Sequence, residues 1–406
     1  MTKKLGLKVE SEIGNLEAVI LHRPGKEMER LTPDTLKESL FEDIPWVKQM
    51  QIEHDGFAKV LENHGAKIYY VEDLLRDILS QNGSKEILIK KVIDTAKLFN
   101  STLETHLFNY LNNLEMDKII EALIAGVTKN EVPEGNRIMT LTDYVKSDKR
   151  FFLNPIPNLY FMRDPAAMIG NSISVSTMFS KARKREGIIM QHIYEHHPLF
   201  DSTPLIHSVD SPTSIEGGDI LVLSDSTIAI GCSTRTAAPS IERFAKKAFE
   251  TLESLKRILV VEIPKLRSFM HLDTVFTMVD YDKFTIYPGI EPLVKLYEIS
   301  KGKNQLKYRL VTDKLSNYLE SVLSTPISLI RSGGGNPITA AREQWNDSTN
   351  TLAIAPGVVV TYSRNEASNE VLRDYGVKVI EIADSELIRG RGGPRCMSMP
   401  IKRTTI

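Results

Sequence analysis

Two cysteines in 406 residues leave no disulfide framework, and neither Cys232 nor Cys396 has the histidine spacing of a zinc site. There is no P-loop and no Gly-x-Gly-x-x-Gly behind a strand, so nucleotide binding has no support. A formal net charge of −1 without a basic segment argues against nucleic acid as a partner. The first residues, Met-Thr-Lys-Lys-Leu-Gly-Leu-Lys, lack the apolar run of a signal peptide, and no stretch reaches the length of a membrane span. The expectation is therefore a cytoplasmic protein that uses no metal, cofactor, nucleic acid or membrane. Cys232 closes an apolar run, Ile-Ala-Ile-Gly-Cys, and reads as a packed small hydrophobe.

What the chain has is repetition. Its 42% hydrophobic and 25% charged residues are those of an ordinary globular protein, with length for two or three domains or one large one with insertions. From about residue 151 one pattern recurs: polar lead-in, strand, tight turn, strand, helix, strand. Met168-Ile169 and Ile173–Val175 flank Gly170-Asn171, a hairpin signal. Ile220–Leu223 and Ile228–Ile230 flank Asp225-Ser226, before a helix with Ile241, Phe244, Ala245, Ala248 and Leu252 on one face. Val275–Val279 pairs with Phe284–Tyr287. Leu352–Ala355 pairs with Val358–Thr361, before a helix that stops at Gly376. Leu16–Leu21, a helix ending near Gly65 and Lys67–Val71 form a further unit. Repeats of roughly 50 residues that cannot bury their own faces point to modules packed around an axis. Leucines at 103, 107, 111 and 114 and apolar residues at 119, 120, 123 and 127 break the pattern at helical spacing. The organisation expected is a first module over residues 1–73, a helical insertion over 74–148, and the remaining modules over 149–406.

The repeat makes the polar residues legible. Asp164, Glu216 with Asp219, and His271 with Asp273 each fall just before, or at the start of, the first strand of a unit. Each has a plain alternative, since a lone acid at a strand start often binds backbone donors. Independent turn residues, however, have no reason to share one structural position. Equivalent positions around an axis converge, and carboxylates gathered there repel unless a cation binds among them. Cys396 follows Arg-Gly-Arg-Gly-Gly-Pro-Arg, whose Gly390, Gly392 and Gly393 allow a sharp turn and close approach to a ligand. Alone it reads as a half-buried cysteine in a surface turn. Beside the acids it reads as a nucleophile. A guanidinium suits the site: Asp164 and Asp273 can grip its nitrogens and hold its carbon in line with the sulfur. His271, held by Glu216, can protonate the departing nitrogen and then deprotonate water. The carboxylates should raise the thiol pKa in the empty site, and the bound cation should lower it.

The motifs Asn-Leu-Tyr-Phe-Met-Arg-Asp-Pro, Ser-Ile-Glu-Gly-Gly-Asp, Met-His-Leu-Asp-Thr and Arg-Cys-Met-Ser-Met-Pro, with the N-terminal Ser-Glu-Ile-Gly-Asn-Leu-Glu-Ala-Val-Ile-Leu-His-Arg-Pro-Gly, resemble those of bacterial arginine deiminases. The resemblance covers essentially the whole chain. It implies an α/β fold, a five-module pseudo-symmetric propeller of ββαβ units with a helical insertion. It also implies hydrolysis of L-arginine to L-citrulline and ammonia through a thiouronium on the cysteine, without a cofactor. Carried over, Cys396 is the nucleophile, His271 the acid–base, Glu216 its orienting partner, and Asp164 and Asp273 the guanidinium ligands. Asn158, Arg183 and Arg235 are the contacts to the substrate carboxylate, Arg391 a mobile arginine, and Phe161 and Gly393 further substrate contacts. Arg395 adds a cation beside the thiol. A homodimer or higher oligomer is implied as well. An agmatine deiminase or methylarginine hydrolase would use a similar centre, but Arg183 and Arg235 favour a substrate with a carboxylate. An amidinotransferase would need an acceptor pocket. A non-catalytic binding protein would be expected to have lost Cys396, His271 or Glu216.

Overall fold

In the computed structural model, which describes residues 5–98, 100–133, 150–303 and 305–406, five sheets are built on one plan. A middle strand pairs antiparallel with the strand before it and parallel with a strand reached through a helix. Ala166–Ile169, Ser172–Val175, the helix Lys184–His196 and Leu205–His207 make one such unit. Ile220–Ser224, Thr227–Cys232, the helix Ala238–Thr251 and Arg257–Glu262 make the next. Phe276–Asp280, Lys283–Ile286, the helix Leu315–Leu323 and Ser328–Arg331 follow. Leu352–Ala355, Val358–Tyr362, the helix Glu366–Asp374 and Lys378–Ile382 complete the C-terminal half. Gly376 ends that last helix with a φ of +78°, the left-handed turn expected of it.

The fifth unit is closed by the two ends of the chain. Leu16–Leu21 is parallel to Lys67–Tyr70, with the helix Val47–Asn63 between them, but its antiparallel neighbour is Met399–Arg403. No local pattern could announce a partner nearly four hundred residues away. The third unit also departs from expectation. Lys295–Lys301 and Leu306–Val311 lie in the crossover of the following unit yet extend the sheet of Arg257–Glu262 to five strands. Lys307, Tyr308, Arg309 and Leu310 are exposed on this outer strand, so it lacks the apolar signature that marked the inner ones.

Neighbouring sheets share cores, and the sharing returns to its start. Ala18 and Ile20 pack with Met168 and Ile173, while Val19 and Leu21 pack with Leu352 and Val360. Ile169 and Ile206 join Ile220 and Ile228. Leu221 and Leu259 join Phe276 and Phe284, and these join Ala353 and Val359. Both faces of the inner strands are therefore buried, which is why they read as continuous apolar runs rather than alternating ones. Helices Val71–Leu79, Ser84–Ala96, Ser101–Asn112 and Met116–Ala125 add Leu75, Leu88, Leu107 and Leu123 to the core that Leu16–Leu21 shares with Ala166–Ile169 and Ser172–Val175. The leucine spacing in this region is core packing, as expected. The expected end of the insertion near residue 148 lies outside the described residues. No described helix is long and apolar enough to cross a membrane.

The closing strand generates a prediction. Ile401 is fully buried on it, so Ile401→Ala should lower stability by about 2–4 kcal/mol, read as a lower urea midpoint at unchanged slope. A loss under about 0.5 kcal/mol would mean that this strand contributes little to closure.

Candidate active site

Four units deliver their chemistry from the same place. Asp164 lies two residues before Ala166–Ile169, and Glu216 opens the short 3-10 turn Gly217–Asp219 that leads into Ile220. His271 opens the turn Leu272–Thr274 before Phe276, and Cys396 lies just ahead of Met399–Arg403. The equivalence drawn from sequence for three units thus extends to the nucleophile's own segment. Asp219 takes the plainer role: it accepts from the Leu272 backbone at 2.8 Å and the Ser233 hydroxyl at 2.7 Å, bracing the turn beside His271.

His271 sits between two carboxylates. Its Nε2 is 2.8 Å from Glu216 Oε2 and its Nδ1 is 3.7 Å from Asp164 Oδ1. Glu216 also accepts from the Phe179 backbone N–H at 2.9 Å and lies 3.8 Å from Arg235 Nη1. Burial alone would lower the His271 pKa, but Asp164, Glu216 and Asp219 together push it up to about 9. Burial would raise that of Glu216, yet Arg235 and His271 bring it down to about 2. The pair is held as imidazolium and carboxylate. Gly218 makes this approach possible, because a Cβ there would lie 2.8 Å from both Asp164 Oδ1 and the His271 ring.

The two guanidinium-facing acids are each half engaged. Arg183 Nη1 donates to Asp164 Oδ2 at 2.6 Å, and Arg395 Nη1 donates to Asp273 Oδ2 at 2.7 Å. The other oxygen of each, Asp164 Oδ1 and Asp273 Oδ1, is buried without a hydrogen-bond partner among the described residues. Two oxygens left bare in a buried site are what a planar cation with several N–H groups would fill. Cys396 Sγ is 3.6 Å from Asp273 Oδ2. Burial first, then Asp273, Asp164 and Asp347, hold its thiol pKa well above the ordinary value, against partial relief from Arg395. The sulfur is buried, not half-buried as Cys396 reads when taken alone.

Several expected residues take other postures. Arg183 was expected to meet a substrate carboxylate, but here its donors are engaged: Nε and Nη2 on Glu186, Nη1 on Asp164, and Nη2 also on the Asn158 carbonyl at 3.3 Å. Arg235 Nη1, 3.8 Å from Glu216 Oε2, has no hydrogen-bond partner among the described residues. Asn158 donates to the Ser39 carbonyl at 2.6 Å and lines the pocket beside Phe161, Arg183, Arg235, Arg391 and Cys396. Among the loop glycines, the freedom to turn is not used at Gly393. It serves close packing, since a Cβ there would lie 2.6 Å from the Asn350 carbonyl, and the left-handed residue of this loop is Arg391, at φ +63°. Arg395 is not a loose cation beside the thiol. It is fully buried, held by Glu12 at 3.0 and 3.1 Å and by the Ile220 carbonyl at 2.8 Å.

Two supporting residues escaped sequence reading. Glu12 lies in the N-terminal motif but carries no sign of its reach to Arg395. Asn350 accepts from the Cys396 backbone N–H at 2.9 Å and donates to the Asp273 carbonyl at 3.2 Å, tying nucleophile to acid. Its Asp-Ser-Thr-Asn surroundings read as an ordinary loop. The pocket itself leaves about 10 Å³ of free space, room for about one water and not for an amino acid. Leu40 and Arg391, both at positive φ, line it. Two groups of residues bring donor atoms within 4.8 Å of one another, as a metal would need: Asp164, Glu216 and His271, and separately His192, Glu195 and His196.

Solved structures of other proteins share this fold. An amidinotransferase of the saxitoxin biosynthetic pathway from Microseira wollei superposes with a TM-score of 0.56 at 14% identity, over 99% of this chain and 98% of that one. A mutant dimethylarginine dimethylaminohydrolase from Pseudomonas aeruginosa, complexed with citrulline, gives 0.51 at 16%, over 95% and 99%. At such identities the likeness concerns the fold. The family model named Arginine deiminase matches residues 37–403. An arginine deiminase of Bacillus cereus is 46% identical over 407 residues, and one of Streptococcus sanguinis 45% over 404, each covering 98% of this chain and 99% of the relative. The chain belongs to the arginine deiminase family.

The electrostatics of the centre set two expectations. Ultraviolet thiolate absorbance of the ligand-free protein should rise only well above pH 9, and a thiolate already formed below about pH 8 would contradict the buried acidic surroundings of Cys396. For the ion pair the signs run oppositely. His271, raised to about 9, stabilises fully below its ordinary 6.5 and loses this as pH passes 9. Glu216, lowered to about 2, stabilises above its ordinary 4.5 and loses this as pH falls towards 2. Glu216→Gln should therefore bring the His271 titration, followed by NMR, down towards 6.5. An unchanged titration would remove Glu216 as its partner.

Proposed function

We propose that the chain hydrolyses L-arginine to L-citrulline and ammonia through a thiouronium on Cys396. The observation that carries this reading is the pair of buried oxygens without hydrogen bonds among the described residues, Asp164 Oδ1 at 3.7 Å from His271 and Asp273 Oδ1, whose sister oxygen is 3.6 Å from the Cys396 sulfur. The substrate guanidinium donates to both, which fixes its carbon against Sγ and offsets the negative charge that kept the thiol protonated. The thiol gives its proton to solvent, and the resulting thiolate attacks that carbon and forms the C–S bond. The C–N bond to a terminal nitrogen breaks as the His271 imidazolium donates its proton, and ammonia leaves. His271, now neutral, takes one proton from water; the hydroxide oxygen adds to the same carbon, the C–S bond breaks, the remaining hydroxyl proton returns to the sulfur, and the ureido group of citrulline remains. Glu216 keeps the imidazole oriented and its charged form stable throughout.

The far end of the substrate falls to Arg235, whose free Nη1 suits a carboxylate, with Asn158 and Phe161 along the wall. Arg183 serves first to fix Asp164 and meets the carboxylate only if it exchanges that partner. The five sheets with cores shared in succession support a five-unit propeller about this site, with the helices between residues 71 and 125 as its insertion.

Incubation with L-arginine or agmatine, followed by assays for citrulline, carbamoyl-putrescine and ammonia, tests the reading. Citrulline from arginine is expected, with at least ~10-fold preference over agmatine from the carboxylate contact. No product from arginine would end it. Cys396→Ala should lower kcat by ~10⁴ or more. Acid quenching of the parent enzyme with guanidino-labelled arginine should trap label on the protein. Full turnover by the alanine variant would end the covalent route while leaving the substrate intact.

A further inference from the structure

The unit of Leu352–Ala355 has no catalytic assignment, yet its equivalent segment is as buried and polar as the others. Ahead of Leu352–Ala355 run Asp347, Ser348, Thr349, Asn350 and Thr351, all buried. Asn350 braces Cys396 and Asp273. Asp347 is stranger: its side chain is buried, and neither carboxylate oxygen has a hydrogen-bond partner among the described residues. Its backbone is fixed. It sits at φ +55° just beyond the helix Pro337–Trp345, where left-handed geometry ends helices and Asp tolerates it, and its N–H donates to the Gln344 carbonyl at 3.0 Å.

A matching cation is equally unsatisfied. Arg391 is buried, its Nε and Nη1 have no partner among the described residues, and its backbone is left-handed, which is unusual for a long side chain. The guanidinium lies over the Trp345 ring, 3.5 Å from its centroid, two residues before Asp347. Asp347 is the foremost carboxylate in its electrostatic field, ahead of Glu42, which is bound at 2.6 Å to Arg267. A buried acid and a buried base, each lacking bonds that the other can supply, describe one of two positions of a pair. Arg391 lines the pocket and Asp347 does not, so movement to Asp347 withdraws the head group from the pocket wall.

We propose that Asp347 is the second seat of the Arg391 guanidinium, a positioning residue whose pairing draws Arg391 off Trp345 and opens the closed pocket to its ligand. Asp347 then contributes to affinity without touching substrate. Only the kinetic arm of the test below rests on the reading of the chain as acting on arginine.

Trp46 and Trp345 are the two tryptophans and both are exposed, Trp345 at 44% with Arg391 over one face of its ring, so Trp46→Phe leaves Trp345 as sole reporter. Acrylamide quenching of the ligand-free single-tryptophan protein is compared with Asp347→Asn and Arg391→Ala in the same background. Asn keeps the shape and the left-handed backbone but not the charge. The expected order of quenching is Arg391→Ala highest, the parent between, and Asp347→Asn lowest, with Arg391 held over one face of Trp345. Equal quenching of the parent and Asp347→Asn, or more in the variant, overturns the proposal whether or not the chain turns over arginine. Should Asp347→Asn fail to fold by circular dichroism, Arg391→Lys decides. It keeps the attraction to Asp347 and loses the planar stack, so Trp345 must be quenched more than in the parent. In turnover, Asp347→Asn should raise the KM for arginine about tenfold with kcat within about threefold, because fewer molecules are open to substrate. A fall in kcat with KM unchanged would also overturn the proposal. Absence of citrulline from the parent would count against the enzymatic reading alone.

Discussion

Half-satisfied negative charge is the constraint on which this site rests. Asp164 and Asp273 are buried, and each gives one oxygen to an internal arginine, Arg183 or Arg395. Those arginines are themselves neutralised from behind by Glu186 and Glu12. The outer layers keep the acids anionic and fix their rotamers in a medium where an unpaired charge would otherwise be protonated or turned away. Had the arginines been bidentate on the acids, the site would attract nothing. Had they been absent, the carboxylates would repel one another and take up protons. One bare oxygen on each is the middle course. It leaves a field that raises the thiol pKa of Cys396, and on the proposed mechanism a bound cation would cancel that field and ready the sulfur for attack.

The architecture serves this by bringing equivalent segments together. Each unit ends its polar lead-in at the start of its first strand, and the burial of both faces of the inner strands leaves those lead-ins as the place where polar groups gather. Cys396 joins them because the C-terminal strand Met399–Arg403 completes the sheet begun by Leu16–Leu21. The nucleophile is thus placed by a pairing between the two ends of the chain, and Asn350 adds a short local tie. Gly218 makes room for His271 and Asp164 at a separation that no side chain would permit.

The inner strands, their helices and the helical stretch were legible because each has a period or a turn signal within some twenty residues. Phe276–Asp280 and Lys283–Ile286 lie within a residue of where their apolar runs put them. Lys295–Lys301 and Leu306–Val311 were not legible, because a half-exposed outer strand spaced with lysine, tyrosine and arginine looks like loop. At the site, His271, Glu216, Asp164, Asp273 and Cys396 stood out by shared position and unusual chemistry. Glu12, Asn350 and Asp347 did not, since a supporting residue is identified by what it touches and none of their neighbours in sequence says what that is.

By itself the sequence determined the repeat, the residue types at each lead-in, and therefore a centre of acids, histidine and thiol that favours a cation; these are local properties, encoded in spacing and chemistry. Only the tertiary structure decided which oxygens are free and which are spent, that Arg183 and Arg395 are braces for the acids, and that the pocket is closed over Arg391. Those depend on contacts such as the 3.0 and 3.1 Å bonds between Glu12 and Arg395, residues far apart in sequence, and the pairing of charges at that range is a property of the packed chain rather than of any segment of it.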